Sequence, residues 1–140
     1  DNGKKLKAFG KKIAAFVDEH GVREDMQEFI NPLADLGDKV TKLTTELGMK
    51  AFGNPDEVGA AAVDYLRVVG HLCFAYFWAR MAKVALDKQK DAATAGDPFY
   101  TAKLHTARFY FAKLLPETAG LIRSCRAGLQ PLMAMDEALF

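Results

Sequence analysis

Three histidines are the residues of this sequence best suited to hold a metal in a helical protein. They are His20, His71 and His105. A di-iron centre in a helical bundle needs Glu-x-x-His on two helices, because carboxylates bridge the metals and imidazoles complete each coordination sphere. The residues three positions before the histidines are Val17, Val68 and Ala102. A single histidine can ligate haem, but on an apolar helix it is more often a hydrogen-bonded core residue. We therefore predict no metal or haem site, and core positions for His71 and His105.

Nucleophilic chemistry has little support in the sequence. Ser124 is the only serine, and it lies outside any G-x-S-x-G elbow. Cys73 follows His71 by two residues, and such positions point apart on a helix. Cys73 and Cys125 form no C-x-x-C pair, so we predict buried free thiols, with a disulfide between them left open. Glycines are not clustered as a dinucleotide fold requires. The sequence therefore predicts no catalytic and no cofactor-binding residue in this chain.

The charge of the chain is balanced. Lys and Arg number 19 against 18 Asp and Glu, so neither nucleic acid nor an acidic membrane is expected as the partner. Five basic residues are spread along the last helical region: Lys103, Arg108, Lys113, Arg123 and Arg126. This spacing indicates a solvated face, and the alternative is a salt-bridged contact with another domain or subunit.

The elements that position these residues are predicted to be helices. Apolar residues recur with helical spacing over residues 3–20, and Gly21 is expected to end that helix. A short turn covers residues 24–30, and Asn31-Pro32 reads as the N-cap and first residue of a second helix. That helix carries an apolar stripe spaced 3, 4, 3, 4, as in a bundle seam. Its members are Leu33, Leu36, Val40, Leu43 and Leu47.

The second half of the chain shows the same pattern of starts and stops. Asn54-Pro55 predicts the start of a long helix to about residue 92, and Asp97-Pro98 starts the last helical region. Pro116 should kink or break that region, and Gly128 with Pro131 should stop it. The longest apolar run, residues 68–79, is too short for a bilayer, which takes ~20 residues. The sequence predicts one all-α domain over residues 1–140, an antiparallel bundle of about four helices without a membrane span.

Aromatic residues are denser than one helix face can bury. One helix carries Phe74, Tyr76, Phe77 and Trp78, and another carries Phe109, Tyr110 and Phe111. Successive residues on a helix point about 100° apart. Either the bundle wraps these rings tightly, or some of them form a docking surface, since aromatic residues are enriched in interface cores. The apolar tail of residues 132–140 is expected to dock onto its own domain or a partner.

Several stretches resemble one known family. They are DYLRVVGH at residues 64–71, YFWARMA at 76–82, and residues 103–116 with ARFY at 107–110. These stretches look like the C-terminal domain of acyl-CoA dehydrogenases, in a large bacterial subgroup that includes long-chain and methylthiopropanoyl-CoA dehydrogenases. The resemblance covers essentially the whole chain.

The resemblance implies a FAD enzyme of several hundred residues that removes hydrogens from the α and β carbons of an acyl-CoA thioester. Its glutamate base would lie in a Tyr-Glu-Gly-Thr type motif, and no Tyr-Glu-Gly occurs in this sequence. The chain also begins with Asp1 rather than Met. We therefore expect a C-terminal fragment without FAD, whose partner is the dehydrogenase core of the same parent chain. We also expect a homo-oligomer.

The sparing use of cysteine suits a reducing compartment, and a cytoplasmic location is expected. The alternative function is a stand-alone helical module that binds a partner helix between its two aromatic helices. What precedes Asp1 in the gene discriminates between the two.

Overall fold

The computed structural model describes residues 3–139, and that part of the chain contains helices and no strand. The helices are α1 (Lys4–His20), α2 (Gln27–Gly53), α3 (Asp56–Lys90), α4 (Pro98–Phe109), α5 (Glu117–Ala127) and the short α6 (Gln130–Met133). One 3-10 turn spans Glu24–Met26 and another spans Glu137–Leu139, and a π-helical turn, Tyr110–Leu114, follows α4. The predicted all-α fold is confirmed.

Helices α2 and α3 run antiparallel, because only Asn54 and Pro55 connect them. Side-chain contacts fix this direction at both ends. The Oγ1 atom of Thr44, late in α2, lies 2.7 Å from the hydroxyl oxygen of Tyr65, early in α3. Just before the start of α2, Asp25 accepts a hydrogen bond from Lys90, at the end of α3, at 2.6 Å.

Helix α3 is the centre of the bundle and packs against α2, α4 and α5. Four small residues, spaced 4, 3 and 3 apart, lie on its buried side and have almost no solvent exposure: Ala75, Ala79, Ala82 and Ala85. The distance between packed helices depends on the side chains at the contact. This alanine row lets neighbouring helices lie close to α3.

The start predicted at Asn31-Pro32 is wrong. Helix α2 begins at Gln27 and contains Pro32 in its interior. Proline removes one backbone hydrogen bond there. Phe29 and Ile30 are buried in the first turns of α2, and their burial outweighs the lost bond. The seam predicted for the same helix, Leu33 to Leu47, is buried at all five positions and is therefore confirmed.

The other predicted helix ends fall close to the observed ones. The Asp97 side chain caps α4 by accepting the Phe99 N–H at 2.8 Å. Before Pro116 the helix widens into the π-turn, where the Leu115 N–H donates to the Tyr110 carbonyl at 3.0 Å. Gly128 ends α5 with φ 76°. A Cβ at Gly128 would lie 2.9 Å from the Glu57 carboxylate, which would have to shift, and the positive φ itself favours glycine there.

The last helical region stops before Gly128 as predicted, because α5 ends at Ala127, and Pro131 lies in the first turn of the short α6. The tail differs from expectation. Residues 130–139 are exposed throughout, including Leu132, Met133 and Met135. The described tail therefore does not dock onto its own domain, and Phe140 lies outside the described residues.

Helix α3 is also the one helix, among residues 3–139, that meets the length and mean hydropathy of a membrane span. That criterion uses length and composition alone and is weak evidence, because core helices of soluble proteins also meet it. Within its most apolar 18-residue window, however, only 22% of the residues are buried inside the bundle. The other residues of that window are half-buried or exposed.

Candidate docking surface

The three histidines lie in three different environments. His20 is buried, and its ring packs edge-on against Phe16 at 4.6 Å between centroids. His71 is half-buried and hydrogen-bonded, as predicted for a histidine on an apolar helix. His105 is exposed, so its predicted core position is wrong. Within residues 3–139 no three His, Cys, Asp or Glu side chains form a group that suits a metal ion.

A polar cluster around His71 joins α3 to the segment that follows α4. His71 Nδ1 is 2.9 Å from the Tyr110 hydroxyl, and Nε2 is 2.9 Å from a Glu117 carboxylate oxygen. Arg67 pairs with the other oxygen of Glu117. The Tyr110 hydroxyl also lies within donating distance of the His71 carbonyl, at 3.1 Å. The sequence alone did not predict this cluster, because Glu117 lies 46 residues from His71.

The geometry of this cluster suits a clamp rather than a catalytic base. Both imidazole nitrogens of His71 are engaged, so neither is placed to take a proton from a substrate. The hydrogen bond from His71, with Arg67 nearby, lowers the pKa of Glu117 below its usual value. Burial raises the pKa of Tyr110, so its hydroxyl stays protonated as a donor. The cluster therefore cross-links α3 to the π-turn and to α5.

The two thiols are free, and two of the basic residues near the C-terminus form ion pairs within the chain. Cys73 and Cys125 are free, Cys125 is buried and Cys73 is half-buried. Burial raises the pKa of both thiols, which disfavours the nucleophilic thiolate. Arg108 forms a bidentate pair with Glu28, and Arg126 pairs with Glu46. These two arginines bind α4 and α5 to α2 within the chain. The sequence predicted either a solvated face or a contact with another domain or subunit, and neither prediction included ion pairs inside the domain.

The most unusual surface is an apolar row along the outer side of α3. We call it the outer stripe and define it as Val63, Leu66, Gly70, Phe74, Phe77, Met81 and Val84. Its spacing of 3, 4, 4, 3, 4 and 3 keeps it on one side of a helix, whereas the buried Ala75 and Ala79 lie on a different side. Leu66 is 72% exposed, Phe74 60% and Phe77 51%. A monomeric protein rarely exposes a long contiguous apolar surface without a function for it.

A groove of about 820 Å³ runs over the C-terminal half of the outer stripe. Phe77, Met81 and Val84 line it from α3, Phe16 lines it from α1, and Phe99 from α4. We call this feature the basic groove because of the charges that surround this apolar lining. The groove is open to solvent along α3, so an extended or helical partner can reach it.

Four basic residues line the basic groove against the single acid Glu19: Lys12, Arg80, Lys83 and Lys103. Lys83 pairs with Asp87 at 2.9 Å. Arg80 lies over the Tyr76 ring at 5.5 Å, and Lys103 over the Phe99 ring at 5.2 Å. Within residues 3–139 no carboxylate forms an ion pair with Arg80, Lys12 or Lys103. The groove therefore favours an anionic partner with an apolar side.

Some of the aromatic residues on α3 and on the last helical region are buried in the bundle, and others are exposed on its surface. Tyr76 and Tyr110 are buried, and Trp78 stacks on Tyr110 with centroids 6.4 Å apart. Phe74 and Phe77 are exposed on the outer stripe, and Phe109 is exposed on α4. The spacing of the outer stripe was visible in the sequence, but α3 is apolar on both sides, so periodicity alone did not separate outer from inner residues.

Comparison with known proteins gives the family. A sequence model described as "Acetyl-CoA dehydrogenase C-terminal like" matches residues 9–136, which is nearly the whole chain. A search of curated proteins returned no match. The matched region runs from α1 to the exposed tail and includes the outer stripe and the His71 cluster. The chain therefore belongs to the acetyl-CoA dehydrogenase C-terminal-like family, and it is an accessory helical domain of the acyl-CoA dehydrogenases.

Proposed function

We propose that this domain is a non-catalytic part of a FAD-dependent acyl-CoA dehydrogenase, and that its outer stripe is covered within the enzyme assembly. The observation that carries the proposal is the outer stripe itself, with Leu66, Phe74 and Phe77 more than half exposed. Family membership supports the class of enzyme. The engagement of both His71 nitrogens supports a structural rather than a catalytic role for the main polar cluster.

The described residues do not fit a flavin site. A flavin needs enclosed polar groups for its ring and phosphates, and within residues 3–139 no buried side-chain nitrogen or oxygen lacks a hydrogen-bond partner. The basic groove is open, and its cations lie around exposed rings rather than at a glycine-rich turn. FAD is therefore assigned to the dehydrogenase core of the parent enzyme, and no step of the reaction is assigned to this domain.

Three roles are compatible with a covered outer stripe. The domain can buttress the dehydrogenase core, assist the assembly of a homo-oligomer, or shape the entrance to the acyl-CoA site. The parent enzyme is proposed to be cytoplasmic and to act on fatty-acid-type thioesters. A place in the subgroup of long-chain and methylthiopropanoyl-CoA dehydrogenases is part of the same proposal, and it rests on the helical and aromatic stretches in the sequence.

The first test is flavin binding by the purified chain. We expect a colourless protein that takes up no added FAD during gel filtration and does not oxidise an acyl-CoA in the presence of an artificial electron acceptor. One bound flavin per chain would contradict the proposal. A dehydrogenase of the same family, treated in parallel, shows that the assay detects bound flavin.

The second test is the gene upstream of the codon for Asp1. A Tyr-Glu-Gly-Thr type motif in frame, behind several hundred codons, supports the parent enzyme. A start codon immediately before Asp1 favours the alternative, a stand-alone helical interaction module.

A further inference from the structure

We propose that the basic groove binds a short acidic amphipathic helix supplied by another protein. The groove covers only the C-terminal half of the outer stripe, so the N-terminal half remains for the neighbour that the proposed function requires. The inference therefore goes beyond the proposed function and holds for any of the three roles of the domain. It defines the partner by shape and charge, as about two turns of helix with one apolar side and acidic flanks.

The walls of the groove have the form against which a helix packs. The lining residues recur at spacings of three and four over residues 12–19 of α1 and over residues 77–84 of α3, so each helix contributes one face of about two turns. Two turns extend about 11 Å, and a cylinder of that length and about 10 Å across has a volume on the order of 800 Å³. The groove, at about 820 Å³, therefore has room for two turns of a third helix.

The floor of the groove buries the apolar side of such a helix. Phe77 and Val84 of α3 and Phe99 of α4 line the groove, and each is at least half exposed in the free chain. Met81 lies on the same side of α3, between Phe77 and Val84. Removing apolar surface from water is the main favourable term in protein association, and aromatic residues and Met are enriched in interface cores.

The cations around this floor select an acidic partner. Within residues 3–139, Lys12, Arg80 and Lys103 have no carboxylate partner. Arg80 and Lys103 lie instead over the Tyr76 and Phe99 rings. A cation over a ring at an exposed site is held more weakly than a cation in a charge-assisted hydrogen bond to a carboxylate. A Glu or Asp on the flank of the incoming helix therefore gains an ion pair without breaking an existing one.

The N-terminal half of the outer stripe lacks this pattern of charge. The one Lys or Arg in that half of α3, Arg67, already pairs with Glu117. Permanent interfaces are the more apolar class, whereas interfaces that form and separate have an apolar centre and a polar rim. The N-terminal half thus suits a permanent neighbour, and the basic groove suits a separate protein that binds and leaves.

The described tail of this chain is not the occupant. Its root lies beside Glu57, whose carboxylate accepts the Leu129 N–H at 3.2 Å. Arg80 follows Glu57 by 23 positions in α3, which places the groove about 35 Å away at 1.5 Å per residue. Residues 130–139 cover that distance only when fully extended, at about 3.3 to 3.6 Å per residue. They therefore cannot lie in the groove as a helix.

Fluorescence anisotropy of a labelled synthetic peptide tests the proposal on the 140-residue chain. The probe is a helix of about twelve residues, held helical by a hydrocarbon bridge on its polar side, with leucines along one side and glutamates elsewhere. We expect it to bind at least about tenfold more tightly than the same helix with lysines in place of the glutamates, and to weaken as salt is added. Equal binding of the two peptides, or no binding up to about 1 mM, overturns the proposal.

Two pairs of variants locate the site. Val84→Glu in the groove should weaken binding of the acidic peptide at least about tenfold, whereas Val63→Glu, the same change in the N-terminal half of the stripe, should leave the Kd within about twofold. Arg80→Glu should also weaken binding at least about tenfold, and Lys42→Glu is its control, because Lys42 is exposed on α2 outside the groove. Equal losses within either pair overturn the assignment to the groove. Circular dichroism of each variant verifies that the helices are retained.

A lipid surface is the other class of partner that an apolar and basic groove could meet. Sedimentation with phosphatidylcholine vesicles, with and without phosphatidylglycerol, separates the two, and we expect the wild-type chain to stay in the supernatant. Sedimentation with the anionic vesicles that Arg80→Glu abolishes would make the groove a membrane surface and overturn the proposal. None of these measurements involves flavin, so failure of this proposal and failure of the proposed function are distinguishable.

Discussion

Helices α2 and α3 are the two longest in the protein, and they use their apolar residues differently. Helix α2 has one apolar seam, which is buried from Phe29 to Leu47, and most of its other positions are polar, with Met49 and Phe52 exposed near its C-terminal end. Helix α3 has a buried side built on small residues and an exposed side that carries Leu66, Phe74 and Phe77. A helix with one apolar side can bury that side within its own bundle. A helix with two apolar sides needs an additional neighbour to bury the second one. The comparison indicates that the fold is complete around α2 and incomplete around α3.

The largest effect is expected in the seam of α2. Phe29 is fully buried and contacts the Phe111 ring at 5.4 Å between centroids. Phe29→Ala should lower the free energy of unfolding by about 3 to 5 kcal/mol, through lost burial and a cavity. Urea denaturation followed by circular dichroism measures this. A loss below about 1 kcal/mol would mean that the seam is not the core.

The buried side of α3 should tolerate larger residues poorly. Ala79 has no solvent exposure and faces the packed helices. Ala79→Leu should cost about 1 to 3 kcal/mol, because the close-packed core must move to admit the new atoms. The matched change on the other side is Gly70→Leu, where a Cβ meets nothing within 4 Å. That variant should unfold no more easily than wild type, and equal losses for both would contradict the two-sided description of α3.

The ion pairs between the start of α2 and the end of α3 should give an effect that depends on pH. Hydrogen bonds from Arg23 and then Lys90 hold the pKa of Asp25 well below its usual value. The folded pKa lies below the unfolded value of about 3.9, so the stabilisation is present above that pH and is lost as the pH falls through the folded value. Asp25→Asn should therefore cost about 1 kcal/mol at neutral pH.

Denaturation of Asp25→Asn and wild type across a pH series measures this difference, which should shrink below about pH 4. Asp38→Asn is the control, because Asp38 is exposed on α2 and forms no ion pair within residues 3–139. A difference that is constant with pH would show that the ion pairs do not stabilise the fold.

The smallest effect on folding is expected on the outer stripe. Phe77→Ser should change the free energy of unfolding by less than about 0.5 kcal/mol at low protein concentration, because Phe77 is half exposed in the monomer. A loss comparable to that of Phe29→Ala would make the stripe part of the core and remove the distinction between α2 and α3.

Local sequence signals predicted most of the fold. Asp97-Pro98 starts α4, the seam from Leu33 to Leu47 is buried, and Pro116 interrupts the last helical region. Pro32 gave a false helix start, because proline marks a helix start only when nothing upstream keeps the chain helical. The burial of Phe29 and Ile30 does so here, and burial is not a property of the local sequence.

The candidate surface was only partly predictable. The surplus of rings on α3 left open whether the bundle wraps all of them or some form a docking surface, and it did not identify which rings would be exposed. The sequence did not pair His71 with Tyr110 and Glu117, since these residues lie 39 and 46 positions apart. The same holds for the basic groove, whose cations come from α1, α3 and α4.

By itself, the sequence determined the helical class, the approximate ends of most helices and the resemblance to the acyl-CoA dehydrogenases, because periodicity, caps and local stretches are properties of neighbouring residues. Only the tertiary structure decided which apolar side of α3 is buried. Both sides have similar hydrophobicity, and the choice depends on residue size. The alanine side lets α2, α4 and α5 approach closely, so Leu66, Phe74 and Phe77 are left on the outside for a partner.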